Sequence, residues 1–141
     1  MKNSTKLSDA MHILTYIAIN PNHDLSSTQI AQSVNSNPVV IRRIMSQLKK
    51  ANLLFSENGK ATPSLAHDAH NISMLDVYHA VENEPTFLKI DDQTNPNCPI
   101  GSQIKTVLDT DYTSIQKKAE QEMATITLAD VVKRIHLDKL S

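Results

Sequence analysis

The chain has 141 residues, 40% of them hydrophobic, with 14 basic and 15 acidic side chains and a formal net charge of −1. This composition is typical of one soluble globular domain, or of a domain with an added arm. Only two glycines are present, which argues against glycine-rich phosphate loops, and no apolar run approaches the ~18 residues of a membrane span. A single cysteine excludes an internal disulfide framework and fits a reducing cytoplasm. We therefore expect a cytoplasmic protein with no membrane association.

The charges are unevenly distributed along the chain. Residues 1–60 contain seven Lys or Arg and three Asp or Glu, a balance of +4, whereas residues 61–141 contain seven and twelve, a balance of −5. A basic first half joined to an acidic second half suggests a DNA-facing module attached to an assembly or sensor module.

Two helices are predicted in the first 34 residues. Residues 4–19 place apolar side chains at helical spacing, and polar residues interrupt the apolar content, so we expect a first helix here and not a signal peptide. Asn20, Pro21 and Asn22 end it. Ser26 and Gln29 form a capping-box pattern that starts a second, short helix reaching Val34.

The stretch NPVVIRRIMSQLKK, residues 37–50, predicts a basic helix with two distinct faces. Asn37 is a suitable N-cap and Pro38 suits the first helical position. One face is an apolar stripe made by Ile41, Ile44, Met45 and Leu48. The other face carries Val39, Arg42, Arg43, Ser46, Lys49 and Lys50. Such a helix can anchor by one face and enter a DNA major groove with the other. Solvated surface charges are the alternative for this stretch taken alone.

A hairpin is predicted directly after this helix. Asn52 suits a left-handed residue at the helix end, residues 53–56 are expected to be extended, and Asn58 with Gly59 is a strong two-residue turn signal. Pro63 confines the returning strand, residues 61–65, to an edge. The order helix, helix-turn-helix and hairpin is that of a winged helix, although a plain connecting hairpin remains the alternative.

The second half of the chain is predicted to be helical around an irregular segment. Ser73 with Asp76 and Thr127 with Asp130 are capping patterns for two further helices, and residues 86–99 are expected to be irregular. Between them residues 102–124 predict the longest helix, about 35 Å long, which suits packing against a second copy. The residues expected at that dimer contact are Ile104, Leu108, Ile115, Ala119 and Met123. The fold class is therefore mainly α with a small β-hairpin wing. We divide the chain into a winged helix-turn-helix domain, residues 1–84, and a dimerisation part, residues 85–141.

The order of these motifs resembles the Rrf-two-type family of bacterial winged-helix transcription regulators. The resemblance rests on AMHILTYIAI (10–19), LSSTQIAQSVNSNPVVIRRIMSQLKKANLL (25–54), ISMLDVYHAVE (72–82), NPNCPIG (95–101) and ITLADVV (126–132), which together span nearly the whole chain. It implies a dimeric winged helix that binds a palindromic operator. It also implies that Val39, Arg42, Arg43 and Ser46 face the groove and that Thr28 and Gln29 lie near the DNA backbone.

Two features depart from the family's pattern. The family's wing often carries a Gly-Gly pair, but here only Gly59 is present and the wing is one residue short, which leaves Lys60 as the candidate phosphate contact of the wing. Cluster-binding members use three cysteines, of which Cys98 resembles the last, and the preceding steps of six fall on Asp92 and Thr86. Because iron–sulfur clusters use thiolate ligands, commonly four, and three of these are missing, we expect no cluster and no other cofactor.

Cys98 is the candidate regulatory residue. It precedes the long helix, and a helix N-terminus favours the thiolate, which would make it a redox or electrophile sensor. An unreactive, half-buried loop cysteine is the alternative. His12 is expected to be a packed or partly exposed side chain. His67 and His70 lack further ligands at metal spacing, so we expect no metal site, and no catalytic arrangement of side chains is recognisable.

The sequence therefore predicts a homodimeric repressor that binds double-stranded DNA, is not an enzyme, and responds to a small-molecule, oxidant or protein effector. The expected DNA-binding residues are Thr28, Gln29, Asn37, Val39, Arg42, Arg43, Ser46, Lys49, Lys50 and Lys60. A winged-helix module that binds proteins and whose DNA binding is vestigial is the second hypothesis, motivated by the shortened wing and the acidic second half.

Overall fold

The computed structural model describes residues 4–21, 25–57, 62–84 and 86–137. Within them the chain is mainly helical, with one two-stranded antiparallel hairpin, which confirms the predicted fold class. The elements in chain order are α1 (Lys6–Ile19), α2 (Ser27–Val34), α3 (Pro38–Lys50), β1 (Leu54–Phe55), β2 (Ser64–Leu65), a 3-10 turn (Ala69–Asn71), α4 (Met74–Val81), α5 (Ile104–Thr125) and α6 (Leu128–Lys133).

Three short polar side chains shape the start of α2 and the turn between α2 and α3. Ser26 Oγ accepts a hydrogen bond from the Gln29 amide at 3.3 Å, so the predicted cap is present. The reciprocal hydrogen bond of a capping box is absent, because in the described part of the chain the Gln29 side chain does not bond to Ser26. The capping box is therefore half formed. Asn35 ends α2 in the left-handed conformation with φ of 60°, which reverses the chain before Asn37 caps α3.

The wing follows α3 directly. Asn52 takes the predicted left-handed conformation with φ of 61°. Leu54 then pairs with Leu65, and Phe55 pairs with Ser64, in antiparallel register. The strands are two residues long and therefore shorter than the extended segments predicted from the sequence. The predicted turn at Asn58 and Gly59 lies outside the described residues.

One hydrophobic core joins five of the six helices. Its fully buried large side chains come from α1, α2, α3, α4 and α6, with Ile72 just before α4. They are Ile13, Leu14, Ile30, Ile41, Leu48, Ile72, Val77, Val81 and Leu128. Each such burial stabilises the fold by roughly 1.5–3 kcal/mol, so α3 is held by its apolar stripe against a rigid support.

The C-terminal helix packs into the same core as the N-terminal helices. The Leu128 amide donates to the Ile72 carbonyl and the Met74 amide donates to the Ile126 carbonyl, both at 2.8 Å. The N-caps of α4 and α6 thus lie side by side, joined by a bridge between Ser73 and Thr127. The domain division between residues 84 and 85 remains a prediction for the loop and for α5, while α6 packs against α1.

Polar contacts fix α5 against α4. His79 Nε2 lies 2.9 Å from Glu120 Oε1, and Gln116 Nε2 donates to the Tyr78 hydroxyl at 3.3 Å. The Gln116 Oε1 atom also accepts from the Phe87 amide at 2.9 Å. The long helix, 22 residues in the structure, is therefore attached to α4 by polar contacts, with Met123 buried near its end. None of the helices in the described ranges is long and apolar enough to cross a membrane.

Candidate nucleic-acid interface

The second helix of the helix-turn-helix, α3, is buried along one face. Ile41 and Leu48 are fully buried and Ile44 is nearly so, while Met45 is half-buried beside them. Asn37 Oδ1 accepts a hydrogen bond from the Val39 amide at 2.8 Å and fixes the start of the helix. The predicted apolar stripe and the predicted cap are both confirmed.

The opposite face of α3 is open to solvent. Val39 exposes 51% of its surface, and the polar side chains predicted for this face are exposed as well: Arg42, Arg43, Ser46, Lys49 and Lys50. The face therefore presents four cations, a hydroxyl and a small apolar tip on a helix that its other side holds rigidly. Guanidinium, hydroxyl and methyl groups are those that read base edges in a major groove.

The first turn of α2 lies beside this surface. Thr28 and Gln29 are exposed there, and their place near a DNA backbone stays a prediction. Asn37 is exposed too, although its side-chain oxygen is engaged in the cap, so a role for it on DNA stays a prediction. Lys60 of the wing lies outside the described residues.

Comparison with known proteins identifies the family. Residues 3–134 match the Rrf2 family model, described as an iron-dependent transcriptional regulator. The chain belongs to the Rrf2 family. It is 40% identical over 132 residues to the HTH-type transcriptional regulator YwnA of Bacillus subtilis strain 168, and the match covers 94% of this chain and 98% of YwnA.

Solved structures show the same fold. A crystal structure described as a DNA-binding protein has 42% sequence identity and a TM-score of 0.73, with 89% of this chain and 97% of that chain covered. The global cysteine regulator CymR of B. subtilis has a TM-score of 0.70 at 19% identity, covering 96% and 99% of the two chains. IscR of T. potens has a TM-score of 0.69 at 21% identity, covering 100% and 93%. CymR and IscR confirm the winged-helix fold of this Rrf2-family regulator.

Cys98 of this Rrf2-family chain lies in a tight loop before α5. The backbone amides of Gly101 and then Ile100 hydrogen-bond to its sulfur and hold the pKa of the Cys98 thiol below its ordinary value. The side chain is half-buried and free of any disulfide. The stabilising groups are amides of the loop itself, because α5 begins six residues later at Ile104; the sequence had predicted the helix N-terminus for this role.

Gly101 is required by the close packing of that loop. A Cβ at Gly101 would stand 2.6 Å from the Asn95 carbonyl oxygen, a distance that backbone atoms cannot accommodate without moving. The Gly101 carbonyl also accepts from Thr94 Oγ1 at 2.6 Å, and the Ser102 amide donates to the Cys98 carbonyl at 2.9 Å. Gly101 was not among the residues predicted to be functional, although a glycine three residues after the cysteine was the available signal.

Three of the described histidines, His12, His67 and His70, have ordinary hydrogen-bond partners. His12 Nε2 lies 2.8 Å from Ser33 Oγ, and His70 Nδ1 lies 2.7 Å from Asp68 Oδ1. His67 Nε2 lies 3.4 Å from the side-chain Nδ2 atom of Asn52. Among the residues that the structure describes, no three His, Cys, Asp or Glu side chains are grouped as metal ligands.

The residues predicted for dimerisation differ in exposure. Ile115 exposes 50% of its surface, Ile104, Leu108 and Ala119 are half-buried, and Met123 is already buried within its own chain. Val107, a member of the same apolar stripe that was not among the predicted contact residues, is 58% exposed. The outward apolar surface of α5 therefore centres on Val107 and Ile115, and the dimer contact itself stays a prediction.

Proposed function

We propose that this Rrf2-family chain is a sequence-specific DNA-binding repressor that acts as a homodimer on a palindromic operator. The proposal rests on the two faces of α3. One face is apolar and buried, and the other exposes cations, a hydroxyl and Val39. DNA recognition by helix-turn-helix proteins uses a helix of this kind in the major groove. The relatives support it, since YwnA is named a transcriptional regulator and the protein of the 42% identical structure is described as DNA-binding.

The exposed side chains suit distinct contacts. Arg42 and Arg43 are the candidates for a bidentate contact with the O6 and N7 atoms of guanine, and the Val39 side chain suits a thymine methyl group. Lys49 and Lys50, near the end of α3, suit phosphates, which fix the register of the protein without reading sequence.

A palindromic operator follows from the proposed dimer. Val107 and Ile115 expose apolar surface on a helix of 22 residues, and pairing of two such helices about a two-fold axis would bury that surface in both copies. A two-fold dimer presents its two α3 helices to two inverted half-sites.

Cys98 is the residue through which we propose that an oxidant acts. Its thiolate, favoured by the two loop amides, attacks one oxygen of a peroxide; the O–O bond breaks, hydroxide or alkoxide leaves, and the sulfur becomes a sulfenic acid. The sulfenic acid adds an oxygen to the sulfur beside the Gly101 and Ile100 amides, and we propose that the loop before α5 rearranges in response.

Selection of DNA from a random duplex pool tests the proposal. We expect enrichment of a palindromic sequence and, in a reporter system with that operator at a promoter, lower transcription when the protein is present. The Arg43→Ala variant serves as the matched control and should enrich the sequence poorly. Failure to enrich any sequence would instead favour the protein-interaction module.

The oxidant proposal has its own test. Operator binding is measured with reductant and with hydrogen peroxide, for the wild type and for Cys98→Ser. Peroxide should weaken binding by the wild type only. Equal binding in all four samples would remove the thiol from the mechanism and leave DNA binding intact.

A further inference from the structure

A cleft of about 470 Å³ lies between the start of α2, the side of α3 and the wing. Its polar lining in the described part of the chain consists of two cations and four hydroxyls: Arg42, Lys49, Ser26, Ser27, Ser46 and Ser56. The rest of the lining is apolar, and no carboxylate is among these described residues.

The two cations reach the cleft from the same side of α3. Arg42 and Lys49 are seven residues apart, which is two helical turns or about 10 Å along the axis, so both side chains project toward the α2 and wing side. Neither forms an ion pair with a carboxylate in the part of the chain that the structure describes. Two like charges therefore share one cleft without a counter-charge from its described lining.

Arg43 belongs to a different strip of the same helix. Val39, Arg43, Ser46 and Lys50 are spaced i, i+4, i+7 and i+11, and this strip lies opposite the buried Ile41, Ile44 and Leu48. Of the four, only Ser46 also lines the cleft. The two adjacent arginines are separated by about 100° of rotation about the helix axis. Arg43 lies at the centre of the outward face and Arg42 lies at its edge.

We propose that Arg42 and Lys49 bind a single backbone phosphate of the DNA duplex in this cleft, and that Arg43 reads the base sequence. A phosphodiester supplies the negative charge that the cleft lacks and oxygen acceptors for the guanidinium fork and the serine hydroxyls. The cleft lies at the edge of the groove-facing strip, where the sugar–phosphate backbone runs beside a helix inserted in the major groove. This inference rests on the proposed DNA-binding function and assigns Arg42 to positioning, not to base recognition.

The test compares Arg42→Ala, Lys49→Ala and Arg43→Ala on two duplexes, the selected operator and a scrambled one, over a range of salt concentrations. Lys105→Ala, an exposed lysine on α5, is the matched control. For Arg42→Ala and Lys49→Ala we expect the same loss of affinity on both duplexes, to within about twofold. The slope of log K against log salt should fall by about 0.9 for each protomer, about 1.8 per dimer. Arg43→Ala should lose affinity mainly on the operator.

A chemical change in the DNA identifies the phosphate itself. Each phosphate of one half-site is replaced in turn by an uncharged methylphosphonate. At one position the wild type should lose the most affinity, Arg42→Ala and Lys49→Ala should each lose less because one of the two cations is already absent, and the double variant should lose none. Replacing chloride by inorganic phosphate at equal ionic strength should leave binding unchanged; a selective loss would reassign the cleft to free phosphate and overturn the proposal.

Two results separate this inference from the function on which it rests. If the wild type prefers the operator but Arg42→Ala loses that preference, or keeps the full salt slope, the phosphate assignment is wrong and the DNA-binding function stands. If the wild type binds neither duplex, both are wrong. Because Arg42 and Lys49 are exposed, we expect the variants to fold. Circular dichroism is used to check folding before binding is measured.

Discussion

At the residue scale, the exposed face of α3 is the surface that we propose reads DNA. Its side chains were assigned from helical spacing alone, and the structure exposes each of them while burying Ile41, Ile44 and Leu48. This agreement is expected, because burial on a helix follows the 3.6-residue period that the sequence displays. Which of two adjacent arginines faces the bases depends on the neighbouring α2 and wing, so only the folded chain separates Arg42 from Arg43.

Arg43→Ala is predicted to reduce operator binding by about 1–3 kcal/mol, because it removes a bidentate contact to guanine. Specificity at one position of each half-site should relax at the same time. Fluorescence anisotropy with operators substituted at each position measures both effects. An equal loss on operator and scrambled DNA would place Arg43 on a phosphate and contradict the prediction.

Gly101→Ala is predicted to raise the pKa of the Cys98 thiol toward its ordinary value. The new Cβ would collide with the Asn95 carbonyl, and the loop would have to move the amides of Gly101 and Ile100 away from the sulfur. The rate of iodoacetamide alkylation against pH measures the pKa. The wild-type midpoint should lie below that of an unperturbed thiol, about 8.5, and the variant's midpoint should be higher. Identical midpoints would show that these amides do not stabilise the thiolate.

At the element scale, the sequence predicted the helices and their caps well, but it did not predict which elements pack against each other. Ser73 with Asp76 and Thr127 with Asp130 form the two complete capping boxes that local spacing indicated. That these two caps pair with each other could not be predicted, because the contact between residues 73 and 127 depends on tertiary packing. The same holds for the contact between His79 and Glu120, which are 41 residues apart.

Leu128→Ala is predicted to destabilise the whole helix-turn-helix part. Leu128 is fully buried in the shared core, and large-to-small changes at such positions cost about 2–5 kcal/mol. Leu137→Ala is the matched control, since Leu137 is 58% exposed and should change the free energy of unfolding by less than about 0.5 kcal/mol. Urea unfolding followed by circular dichroism measures both. Equal effects would mean that α6 contributes little to the core.

At the scale of the whole molecule, the proposed function requires two copies of the chain. In a single chain, α5 is attached to α4 by polar contacts and leaves Val107 and Ile115 exposed on its apolar stripe. An exposed apolar stripe on a long helix is typical of an interaction surface. In the proposed function, basic α3 would contact DNA and the apolar stripe of α5 would mediate assembly, in line with the uneven charge of the two halves.

Val107→Glu is predicted to weaken the dimer. A carboxylate buried without a partner costs about 3 kcal/mol or more, about a hundredfold in the dissociation constant. Thr106→Glu adds the same charge at an exposed polar position of α5 and should leave assembly unchanged. Sedimentation velocity at several concentrations measures the oligomeric state. A monomer for the wild type, or a dimer unaffected by Val107→Glu, would move the interface elsewhere.

The measurement that tests the central claim most directly is the affinity of the wild-type protein for its selected operator and for a scrambled duplex of equal length, at one physiological salt concentration. The account predicts operator binding tighter by about a thousandfold or more, with two protomers on each operator. Equal affinity for the two duplexes, or no binding to either, would contradict the account and favour a winged helix that binds protein.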